Sequence, residues 1–184
     1  MLSSTRSDAL GPHLDRFVGT WRGGAVEGRE PFLKAMELNW VLRQIAKFMP
    51  NFDICFFRDP ETGHLRSHSK QFGKVVEETY LEGGETVKSF HGIATRCTFS
   101  WKGGVLHYSI RNDGAPEEEA TTKRWVEDDG KTMRAESYFR KGPHREWAVL
   151  KRTWHLDESA EQGKLRHTSS QTKCVSSRSS SWLS

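Results

Sequence analysis

The order of apolar and polar positions changes character once along the chain, at Pro50. Before it, Leu38, Val41, Leu42, Ile45, Ala46 and Met49 recur at the three- and four-residue spacing of one helix face, with Asn39, Arg43, Gln44 and Lys47 on the other side. Pro50 predicts the stop, because proline has no amide hydrogen with which to continue the helix. Glu30-Pro31 predicts a second, shorter helix just ahead, since proline is well tolerated at the first helical position. The pair reads as a helix-turn-helix that follows a strand around Gly19-Thr20-Trp21.

Beyond Pro50, short strand-like runs such as Phe52–Phe57 alternate with turn chemistry: Asp59-Pro60-Glu61-Thr62-Gly63, Leu81-Glu82-Gly83-Gly84, Trp101-Lys102-Gly103-Gly104, Asn112-Asp113-Gly114, Asp128-Asp129-Gly130 and Lys141-Gly142-Pro143. Glycine, Asn and Asp accept the positive φ of hairpin turns. Strands at this spacing predict a sandwich or a barrel. A barrel is favoured, because closure leaves no exposed edge and gives the two helices a mouth to cover.

Residues 1–13 are polar and unpatterned, and from about Glu158 the chain turns to Ser, Thr, Lys and Gln. Such segments bury too little apolar surface to offset the entropy of ordering them. The expected organisation is therefore an N-terminal extension over 1–13, one β-barrel domain over 14–157 and a Ser-rich tail over 158–184. No run approaches the roughly 18 apolar residues of a membrane span, and the N-terminus lacks the apolar core of a secretory signal. A cytoplasmic protein is the expectation.

Charge and candidate chemistry narrow the function. Lys and Arg total 28 against 24 for Asp and Glu, a net +4 spread along all 184 residues. That is no nucleic-acid footprint, although it favours anionic membrane surfaces weakly. Cys55, Cys97 and Cys174 are odd in number and far apart, which fits no structural zinc. His64 and His68 stand four apart, but on a strand that spacing spans roughly 13 Å, too far for one ion. There is no Gly-x-Ser-x-Gly elbow, and no activated acid, base or nucleophile can be named. Neither an enzyme nor a cofactor-dependent protein is expected from these residues.

Gly19 and Trp21, followed by Gly28, Glu30, Phe32, Leu33, Lys34 and Ala35, resemble the N-terminal signature of the intracellular lipid-binding proteins, which include the fatty-acid-binding proteins. Gly23 stands where that signature usually has an aliphatic residue, and Arg29 where it has an aromatic. The likeness continues through Asn39–Ala46, Gly103–His107 and Thr121-Thr122-Lys123-Arg124, and covers about Phe17 to His155.

The resemblance implies an all-β fold of the calycin superfamily: a ten-stranded antiparallel up-and-down β-barrel with a helix-turn-helix lid between the first two strands. It implies a fatty acid or similar hydrophobic carboxylate inside, held by two arginines and a tyrosine on late strands. By position Arg124 resembles the first arginine and Arg152 the second. Trp154 stands at the tyrosine position, replacing a hydroxyl by an indole N–H. A long last hairpin, Tyr138–His144, leaves Ala148 as a second alignment for the Arg152 position; Ala148, Leu150, Arg152 and Trp154 share one face in both. Phe72 resembles the portal aromatic. Lys34, Arg43 and Lys47 on the lid suit either transient contact with anionic bilayers or a plain solvated face.

An arginine inside a barrel is costly unless paired, and a ligand carboxylate is the bidentate partner its geometry suits. An outward, solvated arginine is the ordinary alternative. Three other readings stay open: a haem-binding barrel with His155 as axial ligand, a secreted lipocalin sharing Gly-x-Trp, and a barrel enzyme acting on a small hydrophobic substrate.

Overall fold

A computed structural model of the chain describes residues 11–71, 74–90 and 93–159. Helix α1 (Gly11–Asp15) leads into strand β1 (Gly19–Glu27), and helices α2 (Arg29–Ala35) and α3 (Trp40–Lys47) follow. Nine further strands come next: β2 (Ile54–Arg58), β3 (Leu65–Gln71), β4 (Lys74–Tyr80), β5 (Glu85–Phe90), β6 (Ile93–Lys102), β7 (Val105–Asn112), β8 (Glu118–Val126), β9 (Thr132–Lys141) and β10 (Ala148–Leu156). The described structure thus starts at Gly11, ahead of the expected domain start at residue 14. Residues 1–10, the portal candidate Phe72 and the tail beyond residue 159 lie outside the described residues.

All ten strands form one antiparallel sheet in the order β4-β3-β2-β1-β10-β9-β8-β7-β6-β5. This is a chain-order meander curled until β1 pairs with β10, with the two lid helices between β1 and β2 as expected. The ladder is not continuous around the ring, because β4 and β5 are its two ends. The turn between them leans on β6 instead. Glu82 bridges Phe99, the Gly83 amide donates to the Phe99 carbonyl at 3.0 Å, and the Glu82 carboxylate accepts from the Trp101 amide at 2.9 Å.

Alternation along the strands fills the end of the barrel at which β1 starts. Trp21, Phe56, Leu65, Leu106, Met133 and Trp154 are all at most 1% exposed there. Phe17 plugs that end, edge-on to Phe56 at 5.7 Å and to Trp101 at 5.3 Å, and its carbonyl accepts the Trp21 indole N–H at 2.7 Å. Toward the lid the inward positions are less covered: Val26, Tyr108, Ile110, Ala120 and Ser137 are only half-buried. Helix α2 lies over that end, with Phe32 against Phe139 of β9 at 6.1 Å.

Both departures from the resembled signature have physical reasons. A Cβ at position 23 would lie 2.5 Å from the Asn51 carbonyl oxygen, so the chain leaving the lid occupies the space of the missing aliphatic side chain. Arg29 reaches the end of α3 and donates to the carbonyls of Ala46 (2.9 Å), Lys47 (3.0 Å) and Met49. Those are the acceptors a helix C-terminus leaves open, and a cation suits them. At the other end of α3, Asn39 caps by accepting from the Leu42 amide at 2.9 Å.

The apolar face of α3 is largely exposed. Trp40, Val41, Leu42, Ile45 and Phe48 are between 47% and 80% exposed, whereas Arg43 and Gln44 are half-buried. The helix rests on α2 through polar contacts, with Arg43 3.8 Å from Glu30 and Arg29 at its C-terminus. Periodicity marks an apolar face without saying which face meets the protein.

The junction of β1 and α2 depends on Gly28, which has φ 73° and a Cβ direction 2.2 Å from the Val149 carbonyl oxygen. Gly28→Ala is expected to destabilise the fold by about 1–3 kcal/mol, through left-handed strain and displacement of β10. Urea denaturation measures it; an unchanged midpoint would contradict the close approach.

Candidate functional site

The ladder register puts the two candidate arginines in one row. Arg152 of β10 sits opposite Ala135 of β9, and Ala135 sits opposite Arg124 of β8. Two strand spacings separate their backbones, about 10 Å, and the methyl of Ala135 leaves the long side chains room between them. Leu106 continues the row on β7. Ala148, the other alignment for that position, lies opposite Phe139, near the lid. Both arginines share the inward face of Leu150 and Trp154, so the solvated reading does not hold.

Arg124 is 3% exposed. Its guanidinium carbon lies 5.5 Å from the ring centres of Phe56 and Trp154 and 6.0 Å from that of Tyr108, distances at which aromatic faces attract a cation. Nη1 donates to the Tyr80 hydroxyl at 3.4 Å, while Nε is buried without a partner. Tyr80 in turn donates to a Glu78 carboxylate oxygen at 2.9 Å and shares a hydrogen bond with the Ser67 hydroxyl at 2.9 Å. With Ser67 as donor, the phenol makes one donated and two accepted bonds, its full capacity. Burial lowers the Arg124 pKa, but Tyr80, Tyr108 and Glu78 together outweigh it, and the net direction is up. Burial also pushes the Tyr80 phenol well above its ordinary range, with Glu78 adding to the rise.

Arg152 has a poorer environment. It is half-buried over the ring of Phe52 at 5.5 Å and has no hydrogen bond or ion pair among the described residues. Burial lowers its pKa most; Tyr108 opposes, Arg124 and Arg29 add like-charge repulsion, and the net direction is down. A guanidinium remains protonated regardless, so the row holds one cation with an internal counter-charge and one without.

Trp154 is fully buried, and its indole N–H donates to the Phe52 carbonyl at 2.8 Å. It packs the site and offers no free donor to a ligand, contrary to the role its position implies. On the lid, Lys34 is exposed, whereas Arg43 is paired to Glu30 with only 20% of its side chain exposed. His155 lies on the outer, exposed side of β10, which removes the axial-ligand geometry of the haem reading. His68 lies on β3 against the Phe57 ring at 5.8 Å.

Several interior polar residues escaped the sequence reading: Tyr80, Tyr108, Glu78, Ser67, Ser69 and the hydrogen-bonded pair Thr122 and Ser137 (2.9 Å). One signal was available for the serines. Ser67 and Ser69 share the parity of Leu65, so a small polar stripe faces inward there.

Tyr80→Phe is expected to cost about 1–3 kcal/mol, because Arg124 then loses its one side-chain hydrogen bond among the described residues. Equilibrium urea unfolding checks this. A variant as stable as the parent would mean that the phenol does not hold the buried cation.

No protein-family profile matches the chain, and no curated protein matches it significantly in sequence. Solved structures do match in shape. Fatty-acid-binding protein 1 of Echinococcus granulosus superposes with a TM-score of 0.61 at 17% identity, over 77% of this chain and 98% of that one. Lipid binding protein 8 of Caenorhabditis elegans gives 0.59 at 14%, over 78% and 96%. The REP1-NXSQ fatty acid transporter gives 0.58 at 16%, over 77% and 96%. At such identities what is shared is the fold: the chain has the lidded ten-stranded β-barrel of the fatty-acid-binding proteins.

Proposed function

We propose that the chain is a non-catalytic carrier that holds a fatty acid or similar hydrophobic carboxylate within the barrel, its headgroup at the arginine row. The observation that carries this reading is Arg152, an inward guanidinium beside a second one with no carboxylate partner among the described residues. A bound carboxylate supplies the missing charge in the bidentate form guanidinium favours. The fatty-acid-binding and lipid-binding names of proteins sharing the fold support the same class of ligand.

The magnitudes are sufficient. Each buried methylene contributes about 0.8 kcal/mol, so a sixteen-carbon tail supplies roughly 12 kcal/mol, against about 8 kcal/mol for micromolar binding. The tail drives affinity and the ion pair sets orientation. At the lid, exposed apolar residues of α3 beside Lys34 and Lys47 form the surface we assign to transient contact with anionic bilayers during loading. We place the protein in the cytoplasm as a monomer; among the described residues no helix is long and apolar enough to cross a membrane.

Titration calorimetry with palmitate and methyl palmitate tests the carrier reading. The parent is expected to prefer the acid, and Arg152→Ala to lose about tenfold in palmitate affinity while the ester is little affected. Equal affinities for acid and ester in the parent would refute an arginine-held headgroup.

A further inference from the structure

The resembled carboxylate site uses a tyrosine hydroxyl where this chain has Trp154, whose N–H is committed to the Phe52 carbonyl. The chain has three tyrosines, and their surroundings separate them. Tyr138 is on the outer face of β9 with its hydroxyl on Glu136 at 2.5 Å. Tyr80 is saturated by Arg124, Ser67 and Glu78. Tyr108 alone points inward with a hydroxyl that has no hydrogen-bond partner among the described residues, on a half-buried side chain.

Tyr108 is also close to Arg124, which shares a row with Arg152. It sits opposite Thr122, one inward step from the rung that pairs Leu106 with Arg124, and the Arg124 guanidinium is 6.0 Å from its ring. The other inward hydroxyls nearby, Thr122 and Ser137, are bonded to each other.

Resting on the carrier reading, we propose that Tyr108 is a headgroup-binding and specificity-determining residue: its phenol donates to one carboxylate oxygen while Arg152 holds the anion, and Arg124 stays on Tyr80. The hydroxyl lost from β10 is supplied from β7, across the lumen. The site therefore distinguishes an ionised carboxylate, which accepts strongly from a phenol, from an ester, which accepts weakly.

The test compares the full-length parent, Tyr108→Phe and the outer-face control Tyr138→Phe. Each is titrated with palmitate and methyl palmitate, and each is examined by NMR with palmitate isotope-labelled at its carboxyl carbon. Tyr108→Phe is expected to bind palmitate about tenfold more weakly, to bind the ester within twofold of the parent, and to shift the carboxyl resonance. Tyr138→Phe should match the parent in all three. In the parent complex, the Tyr108 ring protons should show cross-relaxation with the methylene beside the carboxyl, a measurement that needs no variant to fold. If the parent prefers the acid yet Tyr108→Phe keeps that preference and the resonance, or the cross-relaxation is missing, the assignment to Tyr108 is wrong and the carrier reading survives. If the parent shows no preference for the acid, both are wrong.

Discussion

The buried charge of Arg124 is the constraint around which the barrel interior is arranged. Taking a guanidinium out of water costs several kcal/mol unless its surroundings replace the lost solvation. Here the replacement comes from four other strands: Phe56 of β2, Tyr80 of β4, Tyr108 of β7 and Trp154 of β10. Tyr108 stands on the strand next to Arg124, whereas Phe56 and Tyr80 reach it from strands on the far side of the sheet order. Side-chain contacts also matter where the backbone ladder stops, since Tyr80 on the edge strand β4 meets Phe99 of β6 edge-on at 5.1 Å. The ring is open in its hydrogen bonds at β4 and β5 but joined through side chains.

The same economy of contacts ties the lid to the arginine row. The segment between α3 and β2 is fastened to β10 twice: Asn51 donates to the Thr153 carbonyl at 3.0 Å, and the Phe52 carbonyl accepts from Trp154. Trp154 is the next inward residue after Arg152, whose guanidinium lies over the Phe52 ring. Gly23 makes this approach possible by leaving space for Asn51, and Arg29 holds the end of α3 above it. A headgroup at Arg152 would therefore touch the base of the lid directly, with no long relay between them.

The strand-and-turn order and the lid helices were legible in the sequence, because hairpin chemistry, the Pro50 stop and the hydrophobic periods are local properties, whereas the inward facing of the arginines was an expectation from the resemblance alone. What was not legible depended on long-range placement. The helical period of α3 named an apolar face but not its direction, which Arg29 and Glu30 decide through contacts in α2. Trp154 was placed on the correct face, yet its N–H was taken by a carbonyl 102 residues away in sequence. Tyr80 and Glu78 are separated from Arg124 by more than 40 positions, and nothing in their own neighbourhood marks them as its partners. Alternation shows which way a side chain points; only the closed ring shows what it meets.

That difference explains how two arginines in one row come to play unlike parts. Arg124 and Arg152 have the same chemistry, the same facing and the same small neighbour, Ala135. One has a phenol that passes its field to a glutamate, and the other has an aromatic ring and two nearby cations, Arg124 and Arg29. Under the proposed function, a carboxylate in the barrel would gain more at the second, where it would add a counter-charge, than at the first, where it would compete with Tyr80 and face Glu78. On the proposed carrier reading, the internal acid would set the polarity of the site and direct an anion to the β10 side of the row, beneath the lid.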